Sequence, residues 1–399
     1  MQGVLHFREQ VREALLGAIQ GAVVSMAEQL VQDEVTELVG APWSRKGESP
    51  LRRGGRTKTR IFLDGEPVHI DRPRVRDRDE GCEVPLTTVG ALTSRDALDA
   101  DVKRLLVRGI STRNYDAALT SLSDGLGLQK SAVSSAFQRA SQKDLDALNG
   151  RSLGEWTFVA VYIDGIGFAD HTCIVAMGVT TDGRKRILGL REGATENAAV
   201  VGDLLEELVE RGLQLCPRTL FVLDGSKALR RGVENVFGSQ ALVQRCVLHK
   251  ERNVLSYLPF ERHADARRRL RAAWGMQSYE DARSALRNVL AWLNKLSESA
   301  ASSLEEGFAE TLTVHRLGIT GTLRRTLVTT NPIESAFDTV KRHSRRVKRW
   351  NGASMVMRWA ATGLVRAENQ FRRLKGHAAI PQLMEILNSS SLNSNKKSA

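Results

Sequence analysis

The spacing of apolar residues changes along the chain and separates helical regions from strand-like ones. Residues 4–39 carry apolar side chains at helical spacing, a pattern that stops at Gly40. The next stretch is rich in Gly, Ser and cations, and a helical pattern returns before strand-like runs begin after residue 155. These changes predict an N-terminal helical segment over 1–40, a basic linker or hairpin region over 41–95 and a helical domain over 96–150.

The region after residue 155 predicts a mixed sheet and an α/β fold. The run "TFVAVYIDG" is apolar on both faces, which indicates a central strand, and "TCIVAMGVT" and "KRILGLR" follow it as an antiparallel meander. A helix, "TLFVLDG", a second helix over "SKALRRGVENVF" and "ALVQRCVLH" then predict a βαβ unit with parallel pairing of its two strands. This order of elements is that of an RNase H-like fold.

Residues 260–326 carry only helical patterns and predict an all-helical insertion. The insertion would divide the RNase H-like domain into a first part, 155–259, and a completion, 327–378. Residues 379–399, which end in "NSSSLNSNKKSA", are assigned to a disordered tail because that sequence is too polar to pack.

Composition adds a charge bias to this picture. The 399 residues, 42% of them hydrophobic, suffice for two or three domains, and the formal net charge of +12 favours a polyanionic partner, with nucleic acid as the leading candidate. A solvated basic surface without a partner is the alternative. The four cysteines are far apart and form no disulfide framework, and we find no signal peptide or apolar run of membrane-spanning length. We therefore expect a cytoplasmic or nucleoid-associated protein.

The stretch "STRNYDAALTSLSDGLGLQKSAVSSAFQRASQ" has the punctuation of a helix-turn-helix. Ser111 or Thr112 can cap one helix, Gly125 and Gly127 can supply the turn, and Ser131 can cap a second helix that enters a major groove. A helical hairpin without a DNA role has the same pattern, and the region 41–95 is equally consistent with a DNA-facing arm or a solvated linker. The candidate DNA-binding residues here are Arg113, Lys130, Ser131 and Arg139.

Two of the apolar runs end on Asp-Gly, at Asp164 and Asp224. A buried strand that ends in a turn explains each of them alone. If the first strand is central and the fourth lies beside it, both carboxylates reach one small space. Neighbouring carboxylates repel each other unless a cation compensates them, and Mg²⁺ prefers carboxylate oxygens and water. Two such ions about 4 Å apart can activate the attacking oxygen and stabilise the leaving oxygen in phosphoryl transfer.

Glu334, in "NPIES", is the candidate for a third carboxylate. As an alternative, Asn331 would cap a helix, Pro332 would take its first position and Glu334 would be the capping-box carboxylate. A helical projection groups Glu334 and Asp338 with cations beside a buried stripe, an order that suits a DNA backbone leading into a metal site. Asp338 is the next candidate for the third ligand. The candidate DNA-binding residues of this helix are Lys341, Arg342, Arg345 and Arg346.

Four motifs together resemble those of the Mutator-type transposases of bacterial insertion sequences. They are "YIDG" with Asp164, "VLDGSKAL" with Asp224, "VQRCVLHKERN" with Cys246 and His249, and "NPIES" with Glu334. With the upstream segments "RGISTRNY" and "PRVR", the similarity extends from about residue 40 to about residue 375.

This resemblance implies a DDE transposase in the bacterial cytoplasm. Asp164, Asp224 and Glu334 would be the catalytic residues and would bind two Mg²⁺ ions, for which Mn²⁺ can substitute. Water would attack a phosphodiester at the end of the element, and the freed 3′-hydroxyl would attack a second one. The upstream residues would bind the terminal inverted repeats, and pairing of two ends implies at least a homodimer on DNA.

Cys246 and His249 are too few for a structural zinc site, which takes four ligands. From the residues alone, a buried Cys at a strand end and a His that caps the next helix are an equally good interpretation. The resemblance instead puts both residues beside the active site, where we expect a supporting role.

Two other functions remain open. A DNA-binding derivative without cleavage activity is disfavoured by the intact Asp164, Asp224 and Glu334. An RNase H-like nuclease without strand transfer would need neither the basic helix-turn-helix region nor the helical insertion.

Overall fold

A computed structural model describes residues 2–43, 49–63, 66–112, 117–121, 129–193 and 197–389. The chain forms two compact units, Met1–Ala140 and Ser141–Ala399. The architecture mixes helices with sheets, which confirms the predicted α/β class. In these described ranges, no helix is long and apolar enough to cross a membrane.

The first unit begins with a long helix, α1 (Gln2–Val39), which ends before Gly40 as predicted. A small antiparallel sheet follows, made of β1 (Leu51–Leu63), β2 (Glu66–Asp77) and β3 (Glu83–Val84). β1 pairs with β2 over most of its length, so the hairpin predicted within residues 41–95 is present. The interpretation as a linker is wrong for the earlier, cation-rich part of β1, which belongs to the same hairpin. The reason is a buried core that joins the sheet to α1 through Val31, Val35, Ile61, Ile70 and Val75.

Helices complete the first unit, and they change the predicted helix-turn-helix. Helix α2 (Thr87–Thr93) is followed by α3 (Arg95–Thr112), which continues through Ser111 and Thr112, so neither residue caps the start of a helix. Helix α4 (Lys130–Gly150) has Ser131 in its first turn rather than at its cap, because Gln129 supplies the carbonyl that accepts from Ala132 and Val133. The predicted turn at Gly125 and Gly127 lies outside the described residues.

The second unit contains five further strands: β4 (Thr157–Phe168), β5 (His171–Thr180), β6 (Lys185–Gly193), β7 (Gln214–Leu223) and β8 (Ala241–Arg245). They form one sheet in the order β6-β5-β4-β7-β8. The first three strands in the chain pair antiparallel, while β4 pairs with β7, and β7 with β8, in parallel. The meander, the βαβ unit and the central position of the first strand are thus confirmed.

Helices cover both faces of this sheet because each face is apolar. The helices from 260 to 305 share a separate core. The α-helices of the unit are α5 (Ala198–Glu210), α6 (Lys227–Phe237), α7 (Val247–Leu255), α8 (Phe260–Gly275), α9 (Tyr279–Asn294), α10 (Glu298–Glu305), α11 (Thr313–Arg316), α12 (Gly321–Leu327), α13 (Asn331–Ser344), α14 (Ala353–Glu368) and α15 (Ile380–Asn388). Short 3₁₀ turns occur at Gly238–Gln240, Glu310–Leu312 and His377–Ala379.

The assignment of 379–399 to a disordered tail is wrong for its first part, because α15 is a helix with a buried side. Ile380, Leu383 and Leu387 have helical spacing and join the core of the second unit. Residues 390–399 lie outside the described part of the chain.

Candidate active site

The register of the sheet brings Asp164 and Asp224 together. The parallel pairing of β4 with β7 ends at Ile163 and Leu223, and the next residue of each strand is the aspartate. Only β7 ends there, because β5 continues to pair with β4 as far as Phe168. The prediction that both strands end at Asp-Gly is therefore wrong for Asp164, which lies within a strand where one of its two neighbours stops.

Both carboxylates also accept local backbone hydrogen bonds that fix their orientation. Asp164 Oδ1 accepts from Gly165 N at 2.8 Å, and Asp224 Oδ1 accepts from Ser226 N at 2.7 Å. Ser226 in turn caps α6, since its hydroxyl oxygen accepts from Leu229 N. The turn after β7 thus holds Asp224 at the start of a helix.

Asp164 is a buried carboxylate that lies close to other carboxylates. Its side chain is 6% exposed. Burial, followed by the nearby charge of Asp224, raises the pKa of Asp164 to about 7, and Glu334 contributes in the same direction. His249 opposes this shift with its positive charge. Asp224, Glu334 and His249 are therefore all close enough to act on the charge of Asp164.

Glu334 points toward His249 and does not cap its helix. Thr330, and not Asn331, precedes α13, and the Thr330 backbone N–H points to Cys246 Sγ at 3.4 Å rather than to Glu334. The Glu334 Oε1 atom accepts from the Thr330 hydroxyl at 2.7 Å and lies 3.7 Å from His249 Nε2. The capping-box alternative is therefore wrong. Asp338, the next candidate for the third carboxylate, is exposed one turn further along.

Cys246 and His249 line this site from the start of α7. Cys246 is fully buried, and its sulfur lies 3.4 Å from the Thr330 hydroxyl, which also lies 3.3 Å from His249 Nδ1. Burial acts to raise the pKa of Cys246, but hydrogen bonds from His249 and Thr330 lower it below its ordinary value. The hydrogen bond with Cys246 and the charges of Asp164 and Glu334 raise the pKa of His249, which favours an imidazolium. His249 sits inside α7 and does not cap it.

The donor set suits a hard divalent cation, although its third member, Glu334, accepts a hydrogen bond from Thr330. Carboxylate oxygens are the ligands that Mg²⁺ prefers, and the raised pKa of Asp164 reports a charge that a cation would compensate. In the described ranges, no group of three or more His, Cys, Asp and Glu side chains stands ready to hold a metal ion. Asp164 and Asp224 follow neighbouring positions of paired strands and so lie side by side. Glu334 accepts a hydrogen bond from Thr330 and lies beside His249.

Thr330 is the site residue that sequence reasoning missed. Its backbone and hydroxyl contact Cys246, and the hydroxyl also contacts His249 and Glu334. Its position directly before "NPIES" is the only signal in the sequence, and a Thr before a helix ordinarily indicates a cap.

The candidate DNA-binding residues fall into three groups. Arg113 lies outside the described residues, and Lys130 and Ser131 are exposed at the start of α4. Arg139 donates to both carboxylate oxygens of buried Asp99, at 2.7 and 2.6 Å, so its charge serves an internal ion pair. On and after α13, Lys341, Arg342 and Arg345 are exposed and Arg346 is half-buried.

Comparisons with known proteins find transposases along nearly the whole chain. The family model described as "Transposase, Mutator family" matches residues 5–373. The transposase for insertion sequence element IS6120 of Mycolicibacterium smegmatis is 28% identical over 251 residues, which cover 61% of this chain and 76% of that protein. The transposase for IS905 of Lactococcus lactis is 26% identical over 327 residues, with 79% and 80% covered. That for IS256 in transposon Tn4001 of Staphylococcus aureus is 24% identical over 331 residues, with 80% and 82% covered.

Proposed function

Because this chain belongs to the Mutator family of transposases, we propose that it is a DDE transposase that binds the terminal inverted repeats of an insertion sequence and catalyses DNA strand cleavage and strand transfer. The observation that carries this proposal is the parallel register of β4 with β7, which ends side by side at Ile163 and Leu223 and so brings Asp164 and Asp224 together, with Glu334 close enough to act on the charge of Asp164. Transposition acts on DNA, and the net charge of +12 suits that partner.

The topology supports an RNase H-like catalytic domain. Three antiparallel strands and two parallel strands form one sheet, with Asp164 on the central strand β4 and Asp224 directly after its parallel neighbour β7. Helices α8, α9 and α10 share with α7 a core apart from the sheet, which supports the interpretation of these three helices as an insertion. Helices α11 and α12, which also fall within 260–326, pack instead in the core of the sheet. The insertion then separates Glu334 in sequence from the two aspartates. The effect of Glu334 on the pKa of Asp164 supports a common site for the three carboxylates.

Asp164 and Asp224 would hold Mg²⁺, with Glu334 as the third ligand, oriented by the Thr330 hydroxyl. Two bound ions would supply the charge that activates the attacking oxygen and stabilises the leaving oxygen. The chain itself would orient the substrate. An imidazolium at His249 can donate a hydrogen bond to a phosphate oxygen, and the exposed Lys341 and Arg342 can contact the backbone that leads to it. Since two element ends must be paired, we propose at least a homodimer on DNA.

The test is cleavage of a labelled duplex that carries the element's terminal repeat, with Mg²⁺ or Mn²⁺. Asp164→Asn, Asp224→Asn and Glu334→Gln should bind the repeat like the parent protein but not cut it. Asp338→Asn, which changes an exposed carboxylate of the same helix, is the matched control and should cut.

Other outcomes identify the other functions. Cutting that survives Glu334→Gln but not Asp338→Asn would move the third ligand to Asp338. Tight binding by the parent protein with no cutting would indicate a DNA-binding derivative. Cutting without any joining of the 3′ end to a target duplex would indicate a nuclease.

A further inference from the structure

A cavity of about 450 Å³ lies beside the first residues of α13, and its charged lining residues among those that the structure describes are cationic. Neutral hydrogen-bonding groups, from Thr322, Thr326, Thr329 and Asn331, complete its polar surface. The volume falls within the range of about 300–1,000 Å³ that is typical of sites for small ligands. The four cations of this cationic cavity are Lys185, Arg325, Arg373 and Lys375.

Separate segments of the second unit meet to form the cationic cavity. Lys185 begins β6, Arg325 lies on α12, and Arg373 and Lys375 lie between α14 and α15. Leu374, between these two cations, is buried. The Leu374 N–H donates to the Gly183 carbonyl at 2.8 Å, and the Thr326 hydroxyl donates to the Lys375 carbonyl at 3.1 Å.

The residue after Lys375 is Gly376, and its close packing against α12 also fixes the path of the chain here. Gly376 has a φ of +86°, and an added Cβ would lie 2.4 Å from Leu323 N on α12. Only glycine allows the chain to approach α12 so closely in this conformation. The backbone positions of the cations are therefore fixed by packing and hydrogen bonds.

Within the described ranges, no salt bridge joins a carboxylate to any of the four cations of the cationic cavity. Arg325 donates to a neutral hydroxyl, that of Thr322, and the Lys185 ammonium lies 4.4 Å from the ring centroid of Phe371. Burial lowers the pKa of Lys185, as expected for a cation that no carboxylate compensates. Arg373 acts on the charge of Asp182, but that carboxylate is already bound by Arg184 at 3.0 Å.

A second basic cavity, beside α6, differs on this point. Its lining includes Glu234 and Glu306 as well as cations, and its Arg230 pairs with Glu234 and Glu310, each at 2.9 Å. Carboxylates of the protein thus compensate positive charge in that cavity, whereas in the cationic cavity an external anion would do so.

We propose that the cationic cavity binds a backbone phosphate of the DNA substrate and holds the strand next to Glu334. A phosphodiester matches both the cations and the neutral donors of the lining, and the start of a helix also favours an anion. Asn331 and Pro332 line the cavity at the beginning of the helix that carries Glu334. This inference rests on the proposed function and adds a positioning site to it.

Salt dependence of DNA binding tests the proposal. The variant Arg373→Gln/Lys375→Gln changes two exposed cations of the cavity, and Arg262→Gln/Lys295→Gln changes two exposed cations of the helical region as a control of equal charge. Dissociation constants for a labelled repeat duplex are measured over a series of KCl concentrations with EDTA. The cavity variant should reduce the slope of log K against log salt by roughly 0.9 for each lost phosphate contact, and the control should leave it unchanged.

The single variant Arg325→Gln gives an independent measurement, with a reduction of roughly 0.9 expected. Thermal unfolding of each variant at the parent's temperature establishes that the fold is retained. The proposal is overturned if both cavity variants keep the slope of the control.

The failure of the cavity and the failure of the transposase function give different results. If the parent protein cuts the repeat and the cavity variants behave like the control, only the cavity proposal fails. If the cavity variants lose salt dependence but Asp164→Asn still cuts, the cavity proposal stands and the catalytic assignment fails. A parent protein that binds no DNA overturns both.

Discussion

Replacing Asp164 with Asn should stabilise the protein, and more so at pH 8 than at pH 5. Asp164 is buried beside Asp224, and both effects raise its pKa from 3.8 to about 7. Because the folded protein holds this proton more tightly than the unfolded chain, the free energy of unfolding falls as the pH rises from 3.8 to about 7 and is level above that. Asn removes the charge and keeps an oxygen that can accept from Gly165 N.

The size of the effect follows from the pKa shift. One pKa unit corresponds to about 1.4 kcal/mol, so ionised Asp164 lowers the free energy of unfolding by up to about 4 kcal/mol at pH 8. At pH 5 only part of the shift counts, about 2 kcal/mol. The advantage of the Asn variant should therefore grow by about 2–3 kcal/mol between the two pH values. For a domain of this size, an advantage of about 4 kcal/mol raises the Tm by roughly 8–16 °C.

Urea denaturation of the parent protein, Asp164→Asn and Asp203→Asn in EDTA measures this difference. Asp203 is an exposed aspartate on α5, so its variant controls for the loss of one negative charge. Addition of Mg²⁺ should raise the stability of the parent protein and narrow the gap, because a ligand that binds the folded state stabilises it by mass action.

A gap between Asp164→Asn and the parent that is equal at pH 5 and pH 8 would refute the reasoning. So would an equal gain for Asp203→Asn, since that result would assign the effect to net charge. In either case burial beside Asp224 would not be the cause.

Other changes test the packing and the support of the site. Thr330→Val removes the hydroxyl that donates to Glu334 and should slow repeat cleavage about 10- to 100-fold without changing DNA affinity, whereas Thr330→Ser should cleave like the parent protein; equal rates for both variants would contradict this. Gly363→Ala places a Cβ 2.9 Å from the Cα of Val340 and should lower the free energy of unfolding by about 1–3 kcal/mol. Its control, Gly202→Ala, meets no atom within 4 Å and should raise the free energy of unfolding by about 0.5–1 kcal/mol. Chemical denaturation that ranks the two variants the other way would disprove the close packing of α13 on α14. Arg139→Gln leaves buried Asp99 without its partner and should destabilise the first unit by about 3 kcal/mol, measured by thermal unfolding, and a normal stability would show that this ion pair is dispensable.

The central sheet could be predicted because its strands are apolar on both faces and their lengths and turns are distinct. The meander and the βαβ unit follow from that pattern and from the handedness and reach of their connections. The hairpin of the first unit was predicted, but the cation-rich start of β1 was interpreted as an arm or linker, because its burial depends on α1. Ser131 was assigned to a cap, although the helix begins one residue earlier, because capping preferences alone do not fix where a helix begins.

The sequence by itself determined the chemistry available to this protein: two aspartates after apolar strand residues, a glutamate in the first turn of a helix, and an excess of cations. Only the tertiary structure decided which of these groups act together. Thr330 contacts Cys246, a residue 84 positions earlier, and the cationic cavity joins Lys185 with Arg373. Such contacts, and the burial that raises the pKa of Asp164, depend on how distant segments pack, and local residue preferences do not encode that packing.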